Sequence, residues 1–193
     1  LDHMSRGALY DQVGGGFSRY STDPQWKIPH FEKMLYDNAQ LVSLYAHAYQ
    51  LTGNPKYAEI IRGTLSFIDR EMTDDNGRFY SSLNADSEGE EGEYYVWTKE
   101  EIEQALDEGT ADLIMEYYQI TDEGNWENGK NVLHRSEGDS HFIEEHDLSQ
   151  NYWDSLLRSV HSKLFDLRKE RVRPSSDEKV LTDAAVMTGV NNL

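Results

Sequence analysis

The chain carries 193 residues, with 36 Asp and Glu against 18 Lys and Arg, a formal net charge of -18, and no cysteine. That length supports one domain with a sizeable core, and the charge argues against nucleic acid or an acidic membrane surface, both of which attract Lys and Arg. The missing thiols exclude disulfides, zinc–thiolate sites and thiol redox chemistry within these residues.

No apolar run approaches the ~20 residues of a bilayer-spanning helix, no signal-peptide pattern opens the sequence, and no Asn-X-Ser/Thr acceptor occurs. These features fit a soluble, cytoplasmic protein. "LDHMSRGALYDQV" starts without Met and reads as the tail of a helix, which suggests an excerpt of a longer polypeptide.

The strongest helical signal runs from residue 31 to 72. Leu41, Leu44, Tyr45, Ala48 and Leu51 recur at three and four residues, "TGNP" at 52 to 55 interrupts them, and Tyr57, Ile60, Ile61, Thr64, Leu65 and Ile68 resume the period. Two helices joined by so short a loop fold back as an antiparallel hairpin. Residues 77 to 97 change character: "RFYSSL" and "EYYVW" are β-rich and flank an acidic, Gly-rich loop, which predicts a short β-hairpin. Thr98 and Glu101 form a capping box ahead of Ile102, Ala105 and Leu106. Leu113, Ile114, Tyr117 and Tyr118 mark another short helix, and residues 131 to 134 suggest a strand. Trp153, Leu156, Leu157, Val160 and Leu164 define a helix from about 149 to 170, and "VLTDAAVMTGVNNL" opens a further apolar-periodic segment.

The expected fold is therefore all-α, built of antiparallel helical hairpins with short β-hairpin loops on the pattern of an α/α toroid. A faint echo between "GGGFSRYSTD" and "GRFYSSLNAD" supports repetition.

Three stretches invite a chemical reading. The triple glycine at 14 to 16 fits no phosphate-loop pattern and is read as positive φ with close backbone approach where a helix ends. In "HFIEEH" the two histidines lie five apart, about 140° round a helix, which argues against a shared metal. "NADSEGEEGE" crowds Asp86, Glu88, Glu90, Glu91 and Glu93 into one loop, for general-acid work, to gather oxygens for a hard cation (without the spacing of a twelve-residue calcium loop), or as a plain solvated acidic loop. In "PHFEKMLYDNAQL", His30, Lys33 and Asp37 share one helical face at i, i+3 and i+7. That face is either a pocket wall or a capped helix start with a Lys33–Asp37 surface pair. Phe17, Tyr20, Trp26 and Tyr36 offer flat apolar faces beside polar groups, as a sugar-like ligand prefers.

At these residues the chain resembles a known family. "GALYDQVGGGFSRYSTDPQWKIPHFEKMLYDNAQL", "NADSEGEEGEYYVW" and "EGNWENGKNVLH" look like the helical region of the thioredoxin-domain-containing proteins related to spermatogenesis-associated protein 20. The resemblance implies an upstream thioredoxin-like domain followed by an (α/α)6 toroid of the six-hairpin glycosidase and N-acylglucosamine 2-epimerase kind, of which residues 1 to 193 would be the first part, an incomplete ring within one domain. One departure is that Ala184 and Ala185 stand where relatives carry Trp and Asn.

The resulting expectation is a carbohydrate-active domain that hydrolyses or epimerises a sugar by general acid/base chemistry. Asp37, Asp86 and Glu88 would be its carboxylates and His30 its proton shuttle. Glu32, Lys33 and Asn38 would bind and orient the substrate, with Tyr20 or Trp26 stacking on it. No metal or cofactor is expected. The partners would be a sugar-like small molecule and the attached thioredoxin-like domain. The alternative is a non-catalytic binding or scaffold module whose polar residues form buried networks.

Overall fold

The structure, a computed structural model, describes residues 1–179; the segment from 180 to 193, with Ala184 and Ala185, lies outside them. The central helical hairpin forms where the apolar period placed it, as α2 (Leu35–Thr52) and α3 (Pro55–Glu71). Its loop is made by three neighbouring residues. Gly53 adopts the left-handed conformation at φ 67° and bonds back to the Tyr49 carbonyl, Asn54 caps the Lys56 N–H, and Pro55 fits the first helical position, where no N–H is needed.

Helix α1 (Asp2–Arg6) precedes this hairpin, and α4 (Lys99–Ala105), α5 (Glu108–Tyr117), α6 (Asp139–Glu145) and α7 (Gln150–Arg168) follow it. The expected capping box on α4 is present in full, with Thr98 and Glu101 each satisfying the other's backbone N–H. Trp97, Ile102, Ile114, Tyr118, Trp153, Val160 and Leu164 build the largest core, between α4, α5 and α7. Two smaller cores seat the hairpin, one around Leu35, Phe67, Ile68, Met72 and Leu83 and the other around Leu9, Tyr10, Phe17, Tyr45 and Ile60.

The fold is mixed α/β, not the all-α toroid expected from sequence. About 48% of the described residues are helical and about 11% lie in strands and bridges, grouped in three small antiparallel sheets. β1 (Tyr20–Ser21) pairs with β2 (Pro29–His30). β3 (Lys33–Met34), β4 (Ser82–Leu83) and β7 (Ser176–Asp177) form a three-stranded sheet in the order β3-β4-β7. β5 (Asp86–Ser87) and β6 (Glu90–Glu91) make a hairpin inside the acidic loop.

Two local expectations are corrected by the same competition for backbone hydrogen bonds. Residues 29 to 34 have helical spacing, yet they are extended, because their backbone groups pair across to β1 and β4; the Arg19 N–H donates to the Glu32 carbonyl (2.8 Å) and the Leu35 N–H to Ser81 (2.9 Å). "RFYSSL" does not pair with "EYYVW": its strand bonds to β3 and β7, whereas Tyr94 and Tyr95 sit in a turn and Trp97 alone bridges, to Asn131. The predicted strand at 131 to 134 is reduced to that bridge.

The triple glycine keeps its reading in part. Gly15 and Gly16 have φ of +76° and +79°, and a Cβ would fall 2.4 Å from the Gly63 carbonyl oxygen and 2.3 Å from the Phe67 ring. The turn lies well beyond α1 in the chain and ends no helix.

Candidate functional site

The site expected from sequence is distributed over several environments. His30 and Lys33 stand on short strands, so they share no helical face with Asp37, which is in the first turn of α2. His30 Nδ1 lies 2.7 Å from Glu91 Oε1, and its ring stacks on Tyr20 with centroids 4.9 Å apart. The "PHFEKMLYDN" stretch and the acidic loop therefore do meet, and the joining carboxylate is Glu91, which also accepts from the Phe31 N–H. Asp86, Glu88 and Glu90 are exposed. Glu32 pairs with Arg19 at 2.8 Å. Trp26 is half-buried against the core around Leu9 and Tyr45, and its carbonyl accepts from the Ala8 N–H. Asp37 has its carboxyl pushed up by burial, against the pull of Arg19.

Lys33 and Asn38 belong to the interior. The Asn38 side chain is fully buried; it accepts from the Phe17 N–H (2.7 Å) and donates to the Phe17 and Met34 carbonyls (3.0 and 2.9 Å). It thus fastens the loop after the glycines to α2. Lys33 donates to Asp11 Oδ2 and to the Gly15 carbonyl, each at 2.9 Å, with its ammonium 4.6 Å from the Phe67 ring and 4.8 Å from the Tyr95 ring. Arg168 grips the same carboxylate with both arms, at 2.7 and 3.0 Å. Burial alone would raise the Asp11 carboxyl, but Arg168 and Lys33 hold it far below the usual carboxylate range. Burial lowers Lys33, with Asp11 opposing. This triad ties the N-terminal loop, β3 and the end of α7 together, and the cavity beside it is only about 20 Å³, room for roughly one water.

The spacious concavity is elsewhere. A cleft of about 460 Å³ opens between α1 and the start of α3 on one side and α5, α6 and α7 on the other. Near its centre stands Asp139, buried at the start of α6. Tyr117 donates to Asp139 Oδ1 at 2.6 Å, the Arg135 guanidinium bonds both that oxygen and the Tyr117 hydroxyl (2.7 Å for the latter), and Lys56 reaches across from α3 to Oδ2 at 2.7 Å. Burial would raise the Asp139 carboxyl; the charge of Arg135 and the contacts from Lys56 and Tyr117 hold it below the usual range.

On α7, His161 Nε2 lies 2.6 Å from the Tyr118 hydroxyl, and burial, helped by Arg135, pushes the imidazole down to about 4. The ring is neutral at pH 7. Burial in turn raises Tyr10, Tyr117 and Tyr118, which stay protonated. Gln12 closes the floor, its amide reaching the carbonyls of Ser5 (2.9 Å), Gly7 (3.1 Å) and Tyr10 (3.2 Å).

None of the catalytic or binding residues expected from sequence lines this cleft. Tyr117 and Tyr118 were legible as a helix face only, and no local motif flags Arg135, Asp139, His161 or Lys56, which converge from separate elements. The histidines of "HFIEEH" do take separate partners: His141 faces Glu137 at 3.2 Å and His146 faces Glu116 at 3.1 Å. Glu116, Glu145 and His146 bring one possible metal-ligand atom each within 4.8 Å of one another, with both glutamates exposed. Among the described residues no helix is long and apolar enough to cross a membrane.

No family model matches the chain. Over 94% of its length it is 38% identical to spermatogenesis-associated protein 20 of Homo sapiens and, equally, of Mus musculus, and 31% identical to an uncharacterized protein of Caenorhabditis elegans. It covers 26%, 26% and 28% of those proteins, so the chain spans about a quarter of the length of the curated relatives it matches. The long aromatic and acidic stretches thus have homologues in the mammalian spermatogenesis-associated protein 20, matched along almost the whole of this chain.

Proposed function

We propose that the chain forms a small-molecule-binding domain whose cleft around Asp139 takes a hydroxyl-rich, sugar-like ligand by hydrogen bonding, without acid/base turnover. The observation that carries this reading is the composition of the cleft wall: Asn54, Ser140 and Gln150 bring polar side chains to it, beside the paired groups Asp139, Lys56 and Arg135 and the buried tyrosines Tyr10, Tyr117 and Tyr118. Against hydrolysis or epimerisation stands the state of the carboxylates. A general acid needs a carboxyl raised toward neutrality, whereas Asp139 is held ionised by three partners. The raised carboxyl, Asp37, is not on this wall.

The scaffold reading draws on the same fact, because fully paired low carboxylates at Asp11 and Asp139 are what a structural network contains. Binding and scaffolding separate in one experiment. Gln150 is exposed at the cleft, so Gln150→Trp would narrow it without touching a core. Thermal shift and calorimetry of the intact protein against a panel of sugars should show a ligand that stabilises the natural sequence and fails with Gln150→Trp. Absence of any stabilising sugar, or binding that Gln150→Trp leaves unchanged, would remove the proposal and leave the scaffold.

A further inference from the structure

We infer that the ligand of this cleft is uncharged, a neutral sugar or polyol, and that phosphorylated, carboxylated and amino sugars are rejected. The inference rests on the binding proposal above and deepens it. Six charged side chains line the cleft, and they cancel: Asp2, Glu59 and Asp139 against Arg6, Lys56 and Arg135. His161 adds nothing at pH 7, since its imidazole is neutral there.

Two of the three cations are also engaged in ion pairs, while the Arg6 Nε donates to the Asp2 main-chain carbonyl at 3.3 Å. Lys56 sits 2.7 Å from Asp139 and 3.1 Å from Glu59, and Arg135 is committed to Asp139 and Tyr117. A phosphate entering the cleft finds only Arg6 outside these pairs, on a wall where Asp2, Glu59 and Asp139 all repel it, and would have to break the other pairs to gain a second cation. It would also approach through the field of a chain of net charge -18. An ammonium meets the opposite obstacle, because Asp139 and Glu59 already hold cations, and Arg6, Lys56 and Arg135 all repel it. A neutral hydroxyl pays neither cost: ion-paired carboxylates and guanidinium groups still accept and donate hydrogen bonds to it through their remaining lone pairs and N–H groups.

The test uses the intact protein and matched ligands on common rings: glucose, galactose, mannose and maltose against glucose 6-phosphate, glucuronate and glucosamine. The natural sequence should bind a neutral member, with at least tenfold weaker binding of each charged counterpart. Glu59→Gln, combined with Asp2→Asn, removes two exposed carboxylates and leaves the cleft with a surplus of two positive charges. That variant should gain about tenfold or more for glucose 6-phosphate, and the gain should shrink as salt rises. Neutral-sugar binding should change far less. If the natural sequence prefers a charged ligand, or the variant gains nothing for the phosphate, the charge inference is overturned while the cleft remains a binding site. If no member binds, and Gln150→Trp changes nothing, the binding proposal fails and carries this inference with it.

Discussion

Replacing Asp11 by Asn tests the buried triad directly. The substitution keeps the shape and leaves Oδ1 able to accept from the Val13 and Gly14 N–H groups, which lie 3.0 and 2.9 Å away. It turns Oδ2, which now takes Lys33 and one arm of Arg168, into an amide NH2 that points hydrogens at two cations. The side chains of Asp11, Lys33 and Arg168 are 8%, 1% and 2% exposed, so water cannot take over. Charge-assisted hydrogen bonds contribute about 1.5–3 kcal/mol each, and breaking a buried pair from one side costs about 3–5 kcal/mol. We expect a loss of about 4 kcal/mol, and with it a fall in Tm of roughly 8–16 °C for a domain of this size. Urea unfolding followed by tryptophan fluorescence measures it. The natural Asp11 has its folded pKa depressed, so its contribution is fully present above the unfolded carboxylate value near 4 and is lost as the pH drops below that toward the folded value. The gap between the two proteins should therefore be constant from pH 5 to 8 and begin to close only below about pH 4. A loss under ~1 kcal/mol at pH 7, or a gap that already closes between pH 7 and 5, would refute the account of the triad as the joint between β3, the glycine turn and α7.

Asn38→Ala should cost about 2–4 kcal/mol in the same assay, because it strands the Phe17 N–H and two carbonyls in the interior; a substrate-binding Asn38 would instead leave stability nearly unchanged. Thr98→Ala removes one half of the capping box of α4 and should cost about 1 kcal/mol by chemical denaturation. Gly16→Ala combines a φ of +79° with a Cβ 2.3 Å from the Phe67 ring, and a drop of more than ~2 kcal/mol in unfolding free energy is expected. Asp37→Asn should be as stable as the natural protein or more so at neutral pH. Its folded carboxyl is raised, so ionisation works against folding, and any advantage of the amide should fade as the pH falls through the carboxylate range in a pH-dependent melt.

Helix existence was legible because it is local. The α2–α3 hairpin, the box at Thr98 and helix α7 each follow from spacing and caps within their own segment, and each stands within a few residues of its predicted bounds. The stretch from Pro29 to Met34 failed for the opposite reason. Its amphipathic spacing suits a helix, but Tyr20–Ser21 and Ser82–Leu83 supply backbone partners from 10 and about 50 residues away, and no local pattern announces them. The site was hidden in the same way. Lys33 read as half of a surface pair with Asp37, because an acid four residues on is the natural guess for a helix. Its real partners are the Asp11 carboxylate and the Gly15 carbonyl, and Asp11 in turn holds Arg168 from the other end of the described chain, a meeting made only by packing.

The two buried carboxylates show how far a functional reading from charge density can go astray. "NADSEGEEGE" and "PHFEKMLYDN" drew attention because they concentrate ionisable groups, yet concentration in sequence is mostly a device for solvation in a chain this acidic. Perturbation by burial and partner is what marks chemistry or architecture, and here it falls on isolated aspartates, Asp11 and Asp139, each held by two cations. Their surroundings separate them. Asp11 borders a space for about one water, so its network can only join elements. Asp139 has two cations and the Tyr117 hydroxyl as partners beside a cleft of about 460 Å³, where the joined elements α3 and α6 form opposite walls. The Lys56–Asp139 contact spans that gap, so whatever enters the cleft must do so alongside an ion pair already made. A carboxylate paired with two cations before a ligand arrives is suited to orienting hydroxyls and poorly suited to giving up or taking a proton, and that is the ground on which we propose recognition and not turnover.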